Sequence, residues 1–197
     1  MRRTISIILF PGFELLDVFG PVELFAFVED YSLEFLSSDG APVKSSQGVE
    51  NIATGSFMNL QENPDILMVP GGQGTRTLCK NIEFLMWLRD AGRESQIIMS
   101  VCTGAALLAA AGLLDGYRAT TNKRAYKWVT SHSSQVNWIR HARWIQDGNR
   151  WSSSGIAAGI DMAAAFIRHE YGEKFLASIT QRMEIEVSKD HSYDPFA

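Results

Sequence analysis

Only two cysteines, Cys79 and Cys102, occur in 197 residues, which excludes a disulfide framework and leaves each thiol to be judged singly. The histidines are as sparse. His132, His141, His169 and His191 share no ligand-like spacing with one another or with the cysteines, so no metal site and no cofactor is expected. Long apolar runs are missing too: Ile5 to Phe10 is stopped by Pro11-Gly12, well short of the roughly 18–20 residues of a membrane-spanning helix. Met1-Arg2-Arg3 and the apolar residues after it lack a small-residue cleavage site, and Glu14 and Asp17 follow at once. This reads as the first strand of a cytoplasmic protein rather than a signal peptide. Charge of one sign is also lacking, since 18 Lys+Arg against 22 Asp+Glu leave a net charge of -4, too mild for a polyanion binder. Repeats, linkers and low-complexity segments are absent. With 46% hydrophobic and 20% charged residues, the chain is expected to fold as one globular domain over 1–197.

What is present is an alternation of strand and helix patterns. Thr4–Phe10, Tyr31–Ser37, Asp65–Val69 and Gln96–Val101 are short, apolar and bounded by turn residues, as strands buried on both faces are. Between them, Glu14–Val28 has helical spacing if the pattern restarts at Gly20-Pro21. Thr75 opens a helical stretch through about Ala91, and Ala105–Ala111 is a small-residue helix. Val43–Phe57 carries breaks typical of a β-ribbon, and Val136–Ser153 reads as a polar hairpin after a helix near Lys123–Thr130. Helices from about Ile156 to Tyr171 and from Glu173 to Arg182 complete the chain. Such alternation predicts an α/β sandwich whose mostly parallel sheet is covered by helices on both faces.

In a sheet of that kind ligands bind beyond the carboxyl ends of the strands, where Pro11–Asp17, Pro70–Thr75 and Cys102–Gly104 would meet. Cys102 lies where a strand turns directly into a helix, so the helix N-terminus is expected to favour its thiolate. Asp17 is a carboxylate among Leu15, Leu16, Val18 and Phe19. Burial and a neighbouring thiolate would raise its pKa and suit it to proton donation, although it also reads as a helix cap. Glu23 is a second carboxylate candidate. Gly71-Gly72-Gln73-Gly74 fails both nucleotide patterns: Thr77 stands where a dinucleotide motif needs Gly or Ala, and no P-loop lysine follows. The remaining roles for these glycines are a tight turn and, with the Thr103 N–H, a set of donors toward a developing anion.

Phe10-Pro11-Gly12-Phe13 with Asp17 to Glu23, Val69-Pro70-Gly71-Gly72, and Val101 to Ala105 with Ala111 to Gly116 together resemble the DJ-1/PfpI superfamily. The similarity extends to Ala119-Thr120-Thr121 and to Ser154 through Asp161, and it points to the isonitrile hydratase branch. It implies a flavodoxin-like fold related to class I glutamine amidotransferases, a homodimer, and a small electrophilic substrate without metal or cofactor. Carried over by position, Cys102 is the nucleophile and Asp17 its acid/base partner. Gly71, Gly72 and Thr103 then form the anion and substrate site, with Glu23 and Asn122 as secondary candidates. The implied reaction adds water to an isonitrile to give an N-substituted formamide. One departure is Asn122-Lys123 where the family often has His-Trp, which removes the base of a Cys-His protease or amidase.

Two other readings keep the same fold. One is the ligand-sensing half of a transcription regulator, although the chain is expected to end before any helix-turn-helix domain could begin. The other is a thiol-based stress or carbonyl-detoxification protein, in which Cys102 would be oxidised ahead of Cys79. Residues 122–151 hold six bases (Lys123, Arg124, Lys127, Arg140, Arg143 and Arg150) against Asp147, a local +5, interleaved with four tryptophans. No nucleic-acid motif accompanies them, so nucleic acid is not expected as a partner.

Overall fold

In a computed structural model of the chain, which describes residues 2–60 and 63–197, the expected alternation is laid out as a seven-stranded sheet in the order β10-β11-β7-β6-β1-β2-β5. Its strands are β1 (Arg3–Ile8), β2 (Tyr31–Ser37), β5 (Gly55–Ser56), β6 (Ile66–Val69), β7 (Ile97–Ser100), β10 (Trp144–Asp147) and β11 (Arg150–Ser153). Every neighbouring pair is parallel except the β10–β11 hairpin at one edge. Two small sheets lie outside it: β3 (Val43–Lys44) pairs with β4 (Glu50–Asn51), and β8 (Arg118–Ala119) with β9 (Asn137–Trp138). The expected hairpin is therefore narrower than Val136–Ser153, and it turns at Gly148, whose φ is +56°.

Helices cover both faces. On one side lie α1 (Leu15–Phe25), α6 (Ala158–Tyr171) and α7 (Glu173–Met183); on the other lie α2 (Thr75–Leu78), α3 (Ile82–Glu94), α4 (Gly104–Ala110) and α5 (Tyr126–Thr130). The central strands are closed to solvent on both sides, with Ile5, Ile7, Ile66, Leu67, Met68, Ile98 and Met99 all buried. Phe25, Tyr31, Trp151 and Phe166 form an aromatic cluster beneath α6.

Three helical boundaries differ from the periodicity. The helix α1 runs through Pro21 instead of restarting there. A Cβ on Gly20 would lie 2.7 Å from Ile160 Cγ1, so the chain is seated closely on α6 at this point, and that packing offsets one missing backbone hydrogen bond. The stretch from Thr75 is split into α2 and α3 because Asn81 caps a new helix, its side chain accepting from the Phe84 N–H at 3.1 Å. Finally, α5 begins at Tyr126 rather than near Lys123, because the Asn122 and Lys123 side chains are engaged in the interior.

The topology reverses at β1, whose neighbours β2 and β6 lie on opposite sides. There the loop after β1 is stitched to the loop after β6: Phe13 and Gly72 form an antiparallel bridge, and the Glu14 N–H donates to the Gly71 carbonyl at 2.9 Å. Gly72 has a φ of +124°, and a Cβ on it would collide with the backbone of Gly12–Glu14. Glycine is thus required at 72 for the close approach of two main chains, which sets the floor of the site.

Candidate active site

Cys102 leaves β7 with a φ of +56°, a left-handed conformation that is costly for a side chain with a Cβ. Two hydrogen bonds over-determine it: the Cys102 N–H donates to the Ser154 carbonyl at 3.1 Å, and the Thr121 hydroxyl donates to the Cys102 carbonyl at 2.7 Å. Gly104 then opens α4, with no room for a Cβ against the Val69 and Pro70 carbonyls. The strand-to-helix junction therefore forms a strained elbow that aims the sulfur away from the sheet.

Asp17, on the first turn of α1, is fully buried at 0% exposure. Its Oδ2 accepts from the Gly71 N–H at 2.8 Å, while Oδ1 is buried without a hydrogen-bond partner. The carboxyl and the Cys102 thiol lie near enough for each to shift the other's proton affinity. Burial, with the nearby Glu14 charge adding to it, pushes Asp17 up to about 8, while the Gly71 N–H and Cys102 draw it down. Burial also pushes the Cys102 thiol well up, and the Asp17 carboxyl adds to the rise; the Thr103 N–H and Asn122 pull against it. The expectation that the helix end favours the thiolate is corrected here. Desolvation and a neighbouring carboxyl act against the first turn of a seven-residue helix, and both groups of the pair are shifted toward holding their protons.

Asn122 stands beside the sulfur. Its Nδ2 donates to Cys102 Sγ at 3.2 Å, while its Oδ1 accepts from the Ala125 N–H at 2.9 Å, which fixes the amide's orientation. An amide so held donates a hydrogen bond and cannot act as a base. Thr103 ties the elbow to the glycine turn, since its Oγ1 accepts from the Gly72 N–H at 3.0 Å. The Gly71 and Gly72 amides are thus engaged with Asp17 and Thr103 in this state. The donors directed at the sulfur are the Thr103 N–H and the Asn122 amide.

Gly72, Cys102, Thr103 and Asn122 line an open cavity of about 680 Å³, while Asp17 and Gly71, joined to each other, lie buried outside its lining. Glu23 is not part of it: that residue is exposed on α1, and Glu14 is the carboxylate that lines the cavity. No histidine lines it. Among the described residues no three His, Cys, Asp or Glu side chains are grouped as metal ligands would be, and no helix is long and apolar enough to span a membrane. Cys79 ends α2, half-buried, and burial pushes it up to about 11.

Two features escaped the sequence reading. A Cβ on Gly155 would collide with Asn122 and lie 2.9 Å from Cys102 Sγ, so this glycine makes room for the site, whereas Gly159 serves helix packing, against Val101 and Pro21. Directly behind Asn122, Lys123 is buried with its ammonium donating to Thr120 Oγ1 and the Ala142 carbonyl, both at 2.7 Å. It faces the buried Asp194 of the C-terminal tail at 3.6 Å; Asp194 is also 3.8 Å from Arg143, which binds Asp161 at 2.6 Å. The basic stretch 122–151 is therefore divided: Lys123 and Arg143 are paired inside, Arg150 stacks on Tyr117, and Arg124, Lys127 and Arg140 stay exposed, Arg140 over the Tyr126 ring.

Residues 3–169 match the DJ-1/PfpI family. The chain is 34% identical to isonitrile hydratase of Pseudomonas putida over 175 residues, covering 87% of this chain and 74% of that protein. It is 27% identical to the HTH-type transcriptional regulator CdhR of Pseudomonas aeruginosa, covering 97% of this chain but only 58% of the regulator. A ThiJ/PfpI family protein from Pseudomonas syringae superimposes with a TM-score of 0.85 at 26% identity, over 95% of this chain and 77% of that one. Drosophila melanogaster DJ-1beta shares the fold, with a TM-score of 0.82 at 18% identity over 94% of this chain and 100% of its own. The elbow thiol, the buried carboxyl and the glycine turn are thus carried by a chain that belongs to the DJ-1/PfpI family.

Proposed function

We propose that the protein is a cysteine-dependent hydratase that converts an isonitrile to an N-substituted formamide. The observation that carries this reading is the buried Asp17, its proton affinity raised by burial, beside a Cys102 that lines a cavity whose described lining residues include no histidine. An amidase or protease needs a base to take the nucleophile's proton and return it to a leaving group. Isonitrile hydration instead needs a proton delivered to the carbon that is attacked.

The sulfur of Cys102 bonds to the terminal carbon of R–N≡C while Asp17 gives that carbon its proton and takes up the thiol's, leaving the carboxyl as it began. The product is the thioimidate R–N=CH–S–Cys102. Water then adds across C=N, and collapse of the R–NH–CH(OH)–S adduct expels the thiol with release of R–NH–CHO. Charge that develops on sulfur is met by the Asn122 amide and the Thr103 N–H. Similarity to the Pseudomonas putida hydratase supports the assignment. Incubation with an alkyl isonitrile should give the formamide in stoichiometric amount, and Cys102→Ser should give none; turnover unchanged in that variant overturns the reading.

A second reading, a ligand-sensing module, is favoured by the similarity to CdhR. It predicts ligand binding retained in Cys102→Ala with no formamide formed by the unsubstituted protein.

A further inference from the structure

The wall of the Cys102 cavity is more cationic than a small hydrocarbon isonitrile needs. Arg76 on α2 and Arg124, two residues past Asn122, both line it, together with Gln73 and Thr77. Its aliphatic side chains are only those of Ala125 and Ile156. The Arg76 guanidinium lies 4.6 Å from the centre of the Trp128 ring, which holds it in place without neutralising it. Among the described residues, neither Arg76 nor Arg124 forms a salt bridge. The lining carboxylate Glu14 accepts a hydrogen bond from Gln47 instead. The lining therefore carries two guanidinium groups against one carboxylate.

Both arginines are exposed, and a hydrocarbon substituent laid against them would cover part of their hydration without offering a partner in return. A carboxylate replaces that water with charge-assisted hydrogen bonds in the fork geometry guanidinium offers. We propose that the natural substrate carries a carboxylate, held by Arg76 and Arg124 while its electrophilic carbon meets the sulfur. This specificity rests on the reading of Cys102 as the attacking nucleophile in the hydratase.

The test compares 3-isocyanopropionate with its methyl ester. The free acid should be favoured in kcat/KM by about tenfold or more, the size of one charged hydrogen bond, and Arg124→Gln and Arg76→Gln should each reduce that ratio toward one. An ester turned over as well as the acid, or a ratio unmoved by both substitutions, overturns the proposal. Turnover of neither compound removes the hydratase reading, and the cavity's selectivity is then read by alkylation. Iodoacetate relative to iodoacetamide should modify Cys102 with a rate ratio about tenfold above that for Cys79, and Arg124→Gln should abolish the excess. Equal ratios at the two cysteines overturn the proposal whatever the reaction.

Discussion

Asp17 and Asp194 are buried to the same degree, at 0% and 3% exposure, and are neutralised in opposite ways. Asp194 faces two cations, Lys123 and Arg143. Asp17 faces none; its neighbours are an amide N–H and a thiol, and burial therefore makes it hold its proton. An aspartate set between two cations serves architecture, here by fastening the C-terminal tail behind Asn122. A buried aspartate that faces no cation, its proton affinity raised by burial, is an acid in waiting.

The largest effect that would sharpen this contrast is catalytic. Asp17→Asn keeps the shape and removes the transferable proton, so formamide production should fall by about 10²–10⁴-fold. Because the acid form of Asp17 is the active one and its value lies near 8, kcat/KM should hold below that pH and fall above it, a limb absent from the variant. An unchanged profile in Asp17→Asn removes the proton-donor role.

On the other side, Asp194→Ala leaves Lys123 buried without its carboxylate, and should cost about 3–5 kcal/mol in urea unfolding at pH 7. Burial draws Lys123 down to about 8 against the pull of Asp194, so the lysine is charged at that pH. A loss below about 1 kcal/mol, the size of an exposed pair, would show that the pair is open to solvent.

The stability of Asp17→Asn should move in the reverse sense. The folded carboxyl holds its proton up to about 8 while the unfolded one releases it near its ordinary value, so native stability drains away as pH rises between those limits. The variant escapes this, and its gain should grow from near zero at pH 4 to about 2–5 kcal/mol at pH 8 by chemical denaturation at each pH.

The smallest effect concerns Gly155. Gly155→Ala should push Asn122 off the sulfur and lower kcat/KM by about tenfold, the loss of one hydrogen bond to a developing charge, while melting temperature changes little. Retention of full activity would show that Asn122 is dispensable.

Much of this was legible in the residue order. The buried strands, the helices between them and the elbow at Cys102 follow from local patterns, because a parallel sheet needs apolar runs and a tight strand-to-helix turn needs small residues after it. Asp17 stood out as a carboxylate in an apolar stretch, and the resemblance across three segments brought it to Cys102. What local pattern could not show was long-range. Pro21 inside α1 depends on α6, and the role of Gly155 depends on Asn122 across 33 positions. The partner of Lys123 is 71 residues away, at the end of a tail with no helical or strand pattern.

The sequence by itself determined the fold class and the family and singled out Cys102 as the candidate thiol, since these rest on residue types in fixed local order. Only the tertiary structure decided the protonation of the pair and the fate of the basic stretch. Desolvation and charge pairing are sums over neighbours from distant segments, so burial pushes up a thiol that its helix end alone would lower, and Lys123 of the basic stretch lies in the interior.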